Sequence, residues 1–198
     1  EVPALERLRF LCIVSSNLDE FFEIRVAGLK EQLHARVPPT GYTLPATRRL
    51  LEEIGAEARA LIAEQYRLLN EEVLPALAHA GVHLVRRTHF TKAERDWVAA
   101  YFDREVRPLL TPIGLDPAHP FPQVVNKSLN FVVELAGRDA FGREPTIAIV
   151  KAPRVLPRII KLPPQVAHNE QSFVMLSSVI HAHLDGLFPG RSVVNYAQ

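Results

Sequence analysis

A chain of 198 residues, 47% hydrophobic and 23% charged, has material for one large domain or two small ones and the balance of a globular fold. Its formal net charge of +1 sets up no global field toward nucleic acid or an anionic membrane. One cysteine, Cys12, cannot close an internal disulfide, no apolar run approaches the roughly 20 residues that span a bilayer, and no secretory h-region opens the sequence. Cys12 lies in an apolar helical stretch and is expected to be a small buried hydrophobe. The sequence lacks an initiator Met and stops at "NYAQ", so a piece of a longer protein is expected.

The first half predicts helices. Pro3 stands near a helix start, where a missing N–H costs little. Leu5, Leu8, Leu11, Cys12 and Ser15 follow at helical spacing. Ser16 is placed to cap a second helix, with Asp19 and Glu20 in its first turn; one unbroken helix is the alternative, and the sequence leaves both open. The pattern decays after Leu33, and "ARVPPTGYTLP", with Pro38, Pro39, Gly41 and Pro45, predicts a loop. A long helix follows, its stripe formed by Leu50, Leu51, Ile54, Ala58, Leu61, Ile62, Gln65, Leu68 and Leu69. Pro75 is a candidate kink and Gly81 a C′ residue. Two long helices joined by a Pro-rich loop predict an antiparallel hairpin within a small bundle.

The second half changes character. "VHLVRR" alternates like a strand. Thr91 with Glu94 three residues on is a capping box opening a helix that ends near Pro108 and Pro112. "SLNFVVELAG" and "TIAIVKAP" predict a β-hairpin across "RDAFGREP". "SFVMLSSVIHAHLDGLFPG" predicts a short strand passing into a helix, and "RSVVNYA" a further strand. The expected fold class is therefore α+β: an N-terminal antiparallel helical bundle over 1–81, then a mixed α+β domain over 82–198.

Several side chains are candidates for chemistry. On a wheel of about 100° per residue, Leu18, Phe22, Val26, Leu29 and Leu33 share a face, and Arg25 falls on its apolar side. A buried guanidinium needs a partner. That partner is an internal acid, or water reached by a snorkelling stem, or a phosphate or carboxylate arriving from another domain. Asn17 lies at the edge of the same stripe. Its amide offers donors and an acceptor that suit a purine edge, while the residues alone favour an N-cap. His181 and His183 point apart if helical, and no third ligand completes a metal site. His119 lies in a proline-rich loop, over a cleft or on the surface. Arg86, Arg87, Arg154, Arg158 and Lys161 are scattered without interleaved aromatics and give weak support for a nucleic-acid surface.

Residues 5–32, "LERLRFLCIVSSNLDEFFEIRVAGLKEQ", closely resemble the N-terminal segment of the long polyphosphate kinases, which polymerise inorganic polyphosphate from ATP. "HPFPQVVNKSLNFVVEL", residues 119–135, is similar to that family's head-domain signature, and "TKAERDWVAAYFDREVRPLLTPIGLDP" fits between them in order and spacing. The resemblance implies a helical domain and a head domain, the latter incomplete at its C-terminus, standing before two larger catalytic domains. It implies phosphoryl transfer through a phosphohistidine in that catalytic part, with arginines and Mg²⁺ around it. None of the eight histidines here matches the phosphohistidine, so no catalytic residue is assigned and the Mg²⁺ ligands are expected outside this chain. ATP and ADP are the implied nucleotide substrates.

One ligand residue carries over. The asparagine of the family's "S-N-L-D-E-F" motif contributes to the ATP site and matches Asn17. No ligand role transfers to Arg25, for which interdomain pairing is expected. The implied partners are ATP and inorganic polyphosphate, with a homodimer or higher homo-oligomer, no nucleic acid and no transmembrane segment. The implied location is cytoplasmic, with peripheral attachment of the parent complex to the inner membrane also compatible. The family's helical segment before "LERL" is missing here. The second functional class is a non-catalytic helical interaction module of the same ancestry.

Overall fold

The computed structural model describes residues 2–116, 120–137, 147–167 and 169–198. Two compact units make up the chain, Glu1–Ala80 and Gly81–Gln198.

The first unit is a helical hairpin. Helix α1 (Ala4–Phe21) runs through a π turn (Phe22–Val26) into α2 (Ala27–His34). Pro3 is its N-cap, and although proline donates nothing, its carbonyl accepts from Arg7 N at 3.0 Å. The rod is unbroken, so Ser16 is not a cap: it and Asn17 sit mid-helix. Helix α3 (Leu44–Leu68) begins at the Thr43 cap, whose Oγ1 accepts from Ala46 N at 3.3 Å. Pro45 falls inside the first turn rather than in the loop, where its absent N–H leaves nothing unsatisfied. A second π turn (Leu69–Val73) leads into α4 (Leu74–His79), and Gly81, at φ +83°, follows the helix end. Pro75 sits at the start of α4, two residues after that π turn. A proline ring clashes with the carbonyl four residues back, and a wider turn moves that carbonyl aside.

The two arms run antiparallel. Arg7 pairs with Glu72 at 2.8 Å near one end, and Gln65 bonds Leu11 and Ser15 further along. Val26, Ala58, Val73 and Leu77 are buried between them, with Thr47. Two expectations are corrected here. Cys12 is exposed rather than buried, because a hairpin offers each helix one neighbour and leaves the far side open. Arg25 is also exposed. It lies inside the π turn, where the angular step per residue departs from the α-helical 100° used to place it on the apolar side.

The second unit is α+β. Strand β1 (Val82–Leu84) is followed by α5 (Lys92–Tyr101), a π turn (Phe102–Val106) and a 3₁₀ turn (Arg107–Leu109). Strands β2 (Thr111–Gly114), β3 (Leu129–Ala136) and β4 (Ile147–Ala152) come next, then β5 (Ile159–Lys161), β6 (Gln171–Met175), α6 (Leu176–His181) and β7 (Ser192–Ala197). One sheet has the order β1-β6-β5, with β1 parallel and β5 antiparallel to β6. The other is antiparallel throughout, in the order β2-β4-β3-β7. Strands β3 and β4 pair as the expected hairpin, with Phe131 opposite Val150; "RDAFGREP" lies outside the described residues.

Alternation sets the core. Phe131, Val133 and Leu135 of β3 point inward with Ala148, Val150 and Ala152 of β4. They join Val98, Phe102 and Val106 of the α5 rod and Leu176, Val179 and Ile180 of α6 in one cluster. The capping box is present in full: Glu94 N donates to Thr91 Oγ1 at 3.2 Å, and Thr91 N donates to Glu94 Oε2 at 2.8 Å. Strands β2 and β5 were not expected. Pro112 looks like a breaker, yet β2 is an edge strand, where a missing donor is tolerated. β5 has three residues, too few for a periodic signal.

Candidate functional site

Asn17 stands in the fourth turn of α1 with its side chain exposed. Mid-helix backbone donors are already paired, so the N-cap role is closed to it. Phe10, Ile13 and Phe21 fall within about 40° of it on a helical wheel, and Ile24 follows inside the π turn, where that wheel does not apply. They are exposed by 61%, 44%, 39% and 59% respectively. The helix thus carries two apolar stripes. One, through Leu11, Leu18 and Val26, faces α3; the other is open and has a single amide at its middle. Apolar flanks around one donor–acceptor group are the surface a planar heterocycle needs: area to bury its faces and an edge to read. The spacing 10, 13, 17, 21, 24 was present in the sequence, but a reading centred on the Leu18 stripe passes over it.

The inner side of α1 is fixed by polar ties. Gln65 Nε2 donates to Leu11 O at 2.7 Å and to Ser15 Oγ at 2.6 Å. These are the polar members of the two otherwise apolar stripes, and they meet one another. Arg67 gathers Glu64 at 2.7 Å, Glu71 at 3.3 Å and Glu72 at 3.5 Å, and Glu72 also holds Arg7. The hydrogen bond from Arg67 keeps the Glu64 carboxyl below its usual range. Arg25, by contrast, makes no ion pair with a described residue. Of the alternatives left open by the sequence, the internal acid is removed; water or a partner from outside the chain remains.

In the second unit the basic residues are largely engaged with the fold. Lys151 Nζ donates to Gln123 O and Arg154 Nη2 to Asn126 O, each at 2.7 Å. These cations strap residues 120–128 across the outer face of the sheet and leave a groove of about 340 Å³ lined by Phe121, Val124, Asn130, Val132 and Ile149. Ser128 Oγ closes the strap on Val125 O, and Asn130 Nδ2 donates to Ser128 Oγ at 2.8 Å. Lys161 donates to Gln171 Oε1 at 3.0 Å. Arg158 contributes its carbonyl to Leu176 N at 2.9 Å, while its guanidinium Nη1 is buried without a hydrogen-bond partner among the described residues.

The histidines separate as expected. His181 Nδ1 lies 3.0 Å from Tyr196 Oη, tying α6 to β7, while His183 Nδ1 lies 2.9 Å from Val179 O and its ring stacks on Phe102 at 4.6 Å. Burial, then the charge of Arg87, pushes the His181 imidazole below its ordinary value. His119 lies outside the described residues. Among the described residues no three His, Cys, Asp or Glu side chains gather as a metal site, and no helix is long and apolar enough to cross a membrane.

The model of the polyphosphate kinase N-terminal domain matches residues 1–85, and that of the polyphosphate kinase middle domain matches residues 93–198. A polyphosphate kinase of Neisseria gonorrhoeae is 53% identical over 194 residues, covering 97% of this chain and 28% of that protein. One of Pseudomonas aeruginosa is 52% identical over 191 residues, covering 96% of this chain and 28% of that protein. The crystal structure of polyphosphate kinase from Porphyromonas gingivalis superposes with a TM-score of 0.81 at 26% identity, over 98% of this chain and 28% of that one. The chain thus spans about 28% of the length of these relatives, across their N-terminal and middle domains, and it belongs to the polyphosphate kinase family.

Proposed function

We propose that the parent protein transfers the terminal phosphate of ATP to a growing inorganic polyphosphate chain, reversibly, through a phosphohistidine that lies outside this chain. The observation that carries the proposal is the family match over both units, at about half identity to proteins named polyphosphate kinase. In this proposal Asn17 supplies an amide to the nucleotide from a rigid mid-helix position, and the other nucleotide contacts come from elsewhere in the parent. Mg²⁺, neutralising charge on the phosphates, belongs to the same parent site; the described residues offer it no ligand cluster. Assembly as a homodimer or higher homo-oligomer and a cytoplasmic location are part of the same proposal.

Phosphoryl transfer needs cations positioned around the moving group. Lys151, Arg154 and Lys161 are spent on the fold's own carbonyl and amide oxygens. The isolated chain is therefore expected not to extend polyphosphate, and ATP-dependent polymer growth by the pure chain would refute this. In the full-length parent, Asn17→Ala is expected to raise KM for ATP about fivefold, the value of one typical hydrogen bond. An unchanged KM would remove Asn17 from the nucleotide site while leaving the family intact.

A further inference from the structure

We infer that Gln65 is a positioning residue for the nucleotide site, setting the rotation of α1 and so the direction in which Asn17 is presented. The inference rests on the nucleotide role proposed for Asn17. It starts from the weakness of an apolar seam as a register device. Burial of Leu11, Leu18 and Val26 against α3 holds the arms together, but such contact is non-directional and resists separation better than rotation or sliding. A polar pair at the margin of the seam, half-buried at Gln65 and exposed at Ser15, supplies the missing direction.

Gln65 meets that description. Its one amide nitrogen reaches both Leu11 O, at 2.7 Å, and Ser15 Oγ, at 2.6 Å. Two acceptors a turn apart on the same helix define an axis position and an angle together. Ser15 and Asn17 are two residues apart, about 200° around the helix and about 3 Å along it. Clamping Ser15 against α3 therefore turns Asn17 to the open side, between Phe10, Ile13 and Phe21. The Arg7–Glu72 pair lies further from Asn17, is 36% and 43% exposed at its two side chains, and shares Glu72 with Arg67. An ion pair that is shared and ten residues from Asn17 holds its angle loosely, whereas Gln65 also reaches the part-buried Leu11 carbonyl, so the clamp falls to Gln65.

The test uses the full-length parent, with KM for ATP, kcat and thermal melting read for each variant. Gln65→Met keeps length and apolar character while removing both donors. It is expected to raise KM for ATP about fivefold with kcat nearly unchanged, the pattern of lost binding rather than lost chemistry. Ser15→Ala removes one acceptor, perturbs folding less, and is expected to raise KM about twofold. In the Asn17→Ala background both effects should vanish, because the residue they aim is gone. The inference is overturned if Gln65→Met and Ser15→Ala lower melting alone, or if their effect on KM persists undiminished without Asn17. A raised KM in Asn17→Ala beside wild-type KM in both clamp variants defeats this inference and spares the nucleotide role. An unchanged KM in Asn17→Ala defeats both.

Discussion

Glu94 is 1% exposed and is the most deeply buried carboxylate among the described residues. It accepts from Thr91 N at 2.8 Å and from Thr91 Oγ1 at 3.1 Å, so the two residues satisfy the open end of α5 between them. Thr91→Ala should cost about 1 kcal/mol, read as a lower urea midpoint with an unchanged slope. His181 gives a pH signature. Its imidazole is depressed in the folded state, so as pH falls the unfolded chain binds the proton first. The stability it contributes is full above about pH 6.5 and is lost as pH drops through that value toward the folded one. His181→Phe should flatten that part of the melting profile; an identical profile would assign the slope to other groups. Arg25→Met in the parent is expected to lower turnover through lost interdomain pairing, and unchanged melting, assembly and turnover would rule that pairing out. These side chains differ in how well the sequence announced them. Thr91 and Glu94 are a local pair three residues apart and were read directly. Ser15 and Gln65 were seen only as polar members of two stripes, because the bond joining them crosses 50 positions. Arg25 was misplaced for a third reason: its angle depends on a π turn that a uniform wheel does not contain.

Of the three π turns among the described residues, two end two residues before a proline, Val73 before Pro75 and Val106 before Pro108. The remaining one, Phe22–Val26, has no proline to accommodate. It falls between Leu18 and Val26, two steps of four along the inner stripe, while Phe22 at the intervening step is 36% exposed. In a plain α-helix each such step advances the stripe by about 40°, and a wider turn takes up the advance and keeps Val26, 3% exposed, against α3. Pro75→Ala should restore a donor and let the π turn relax to a regular helix, raising the melting temperature. A drop in melting temperature instead would mean that the π turn packs Val73 better than a regular helix does. Strand legibility followed length. The six residues of β3 from Phe131 to Ala136 alternate cleanly between buried and exposed, whereas β5 is too short to show a period and β2 contains Pro112. Edge position, a property of the finished sheet, is what reconciles that proline with a strand.

At the scale of the chain, the two units bury apolar surface very unequally. The second unit has one cluster drawn from both sheets and two helical rods. The first leaves Leu5, Phe10, Ile13, Ile24, Leu61 and Tyr66 between 44% and 61% exposed. Exposed apolar stripes of that kind favour association. The isolated chain is expected to self-associate at micromolar concentration, and Phe10→Glu with Ile24→Lys to shift it toward the monomer in sedimentation velocity. A wild-type chain that sediments as a monomer would show that the stripe alone does not drive association.

The strap over the second unit's outer sheet face has one more consequence. Lys151 and Arg154 grip it by the carbonyls of Gln123 and Asn126, and a main-chain carbonyl is common to all twenty amino acids. The grip therefore asks nothing of the side chains at 123 and 126, while it asks a great deal of those at 151 and 154. Under random mutagenesis the strap's gripped positions should accept wide replacement, and the two cations that hold them should accept very little. The burden of keeping this segment in place lies on residues some thirty positions downstream of it, which leaves the strap's own surface free to drift.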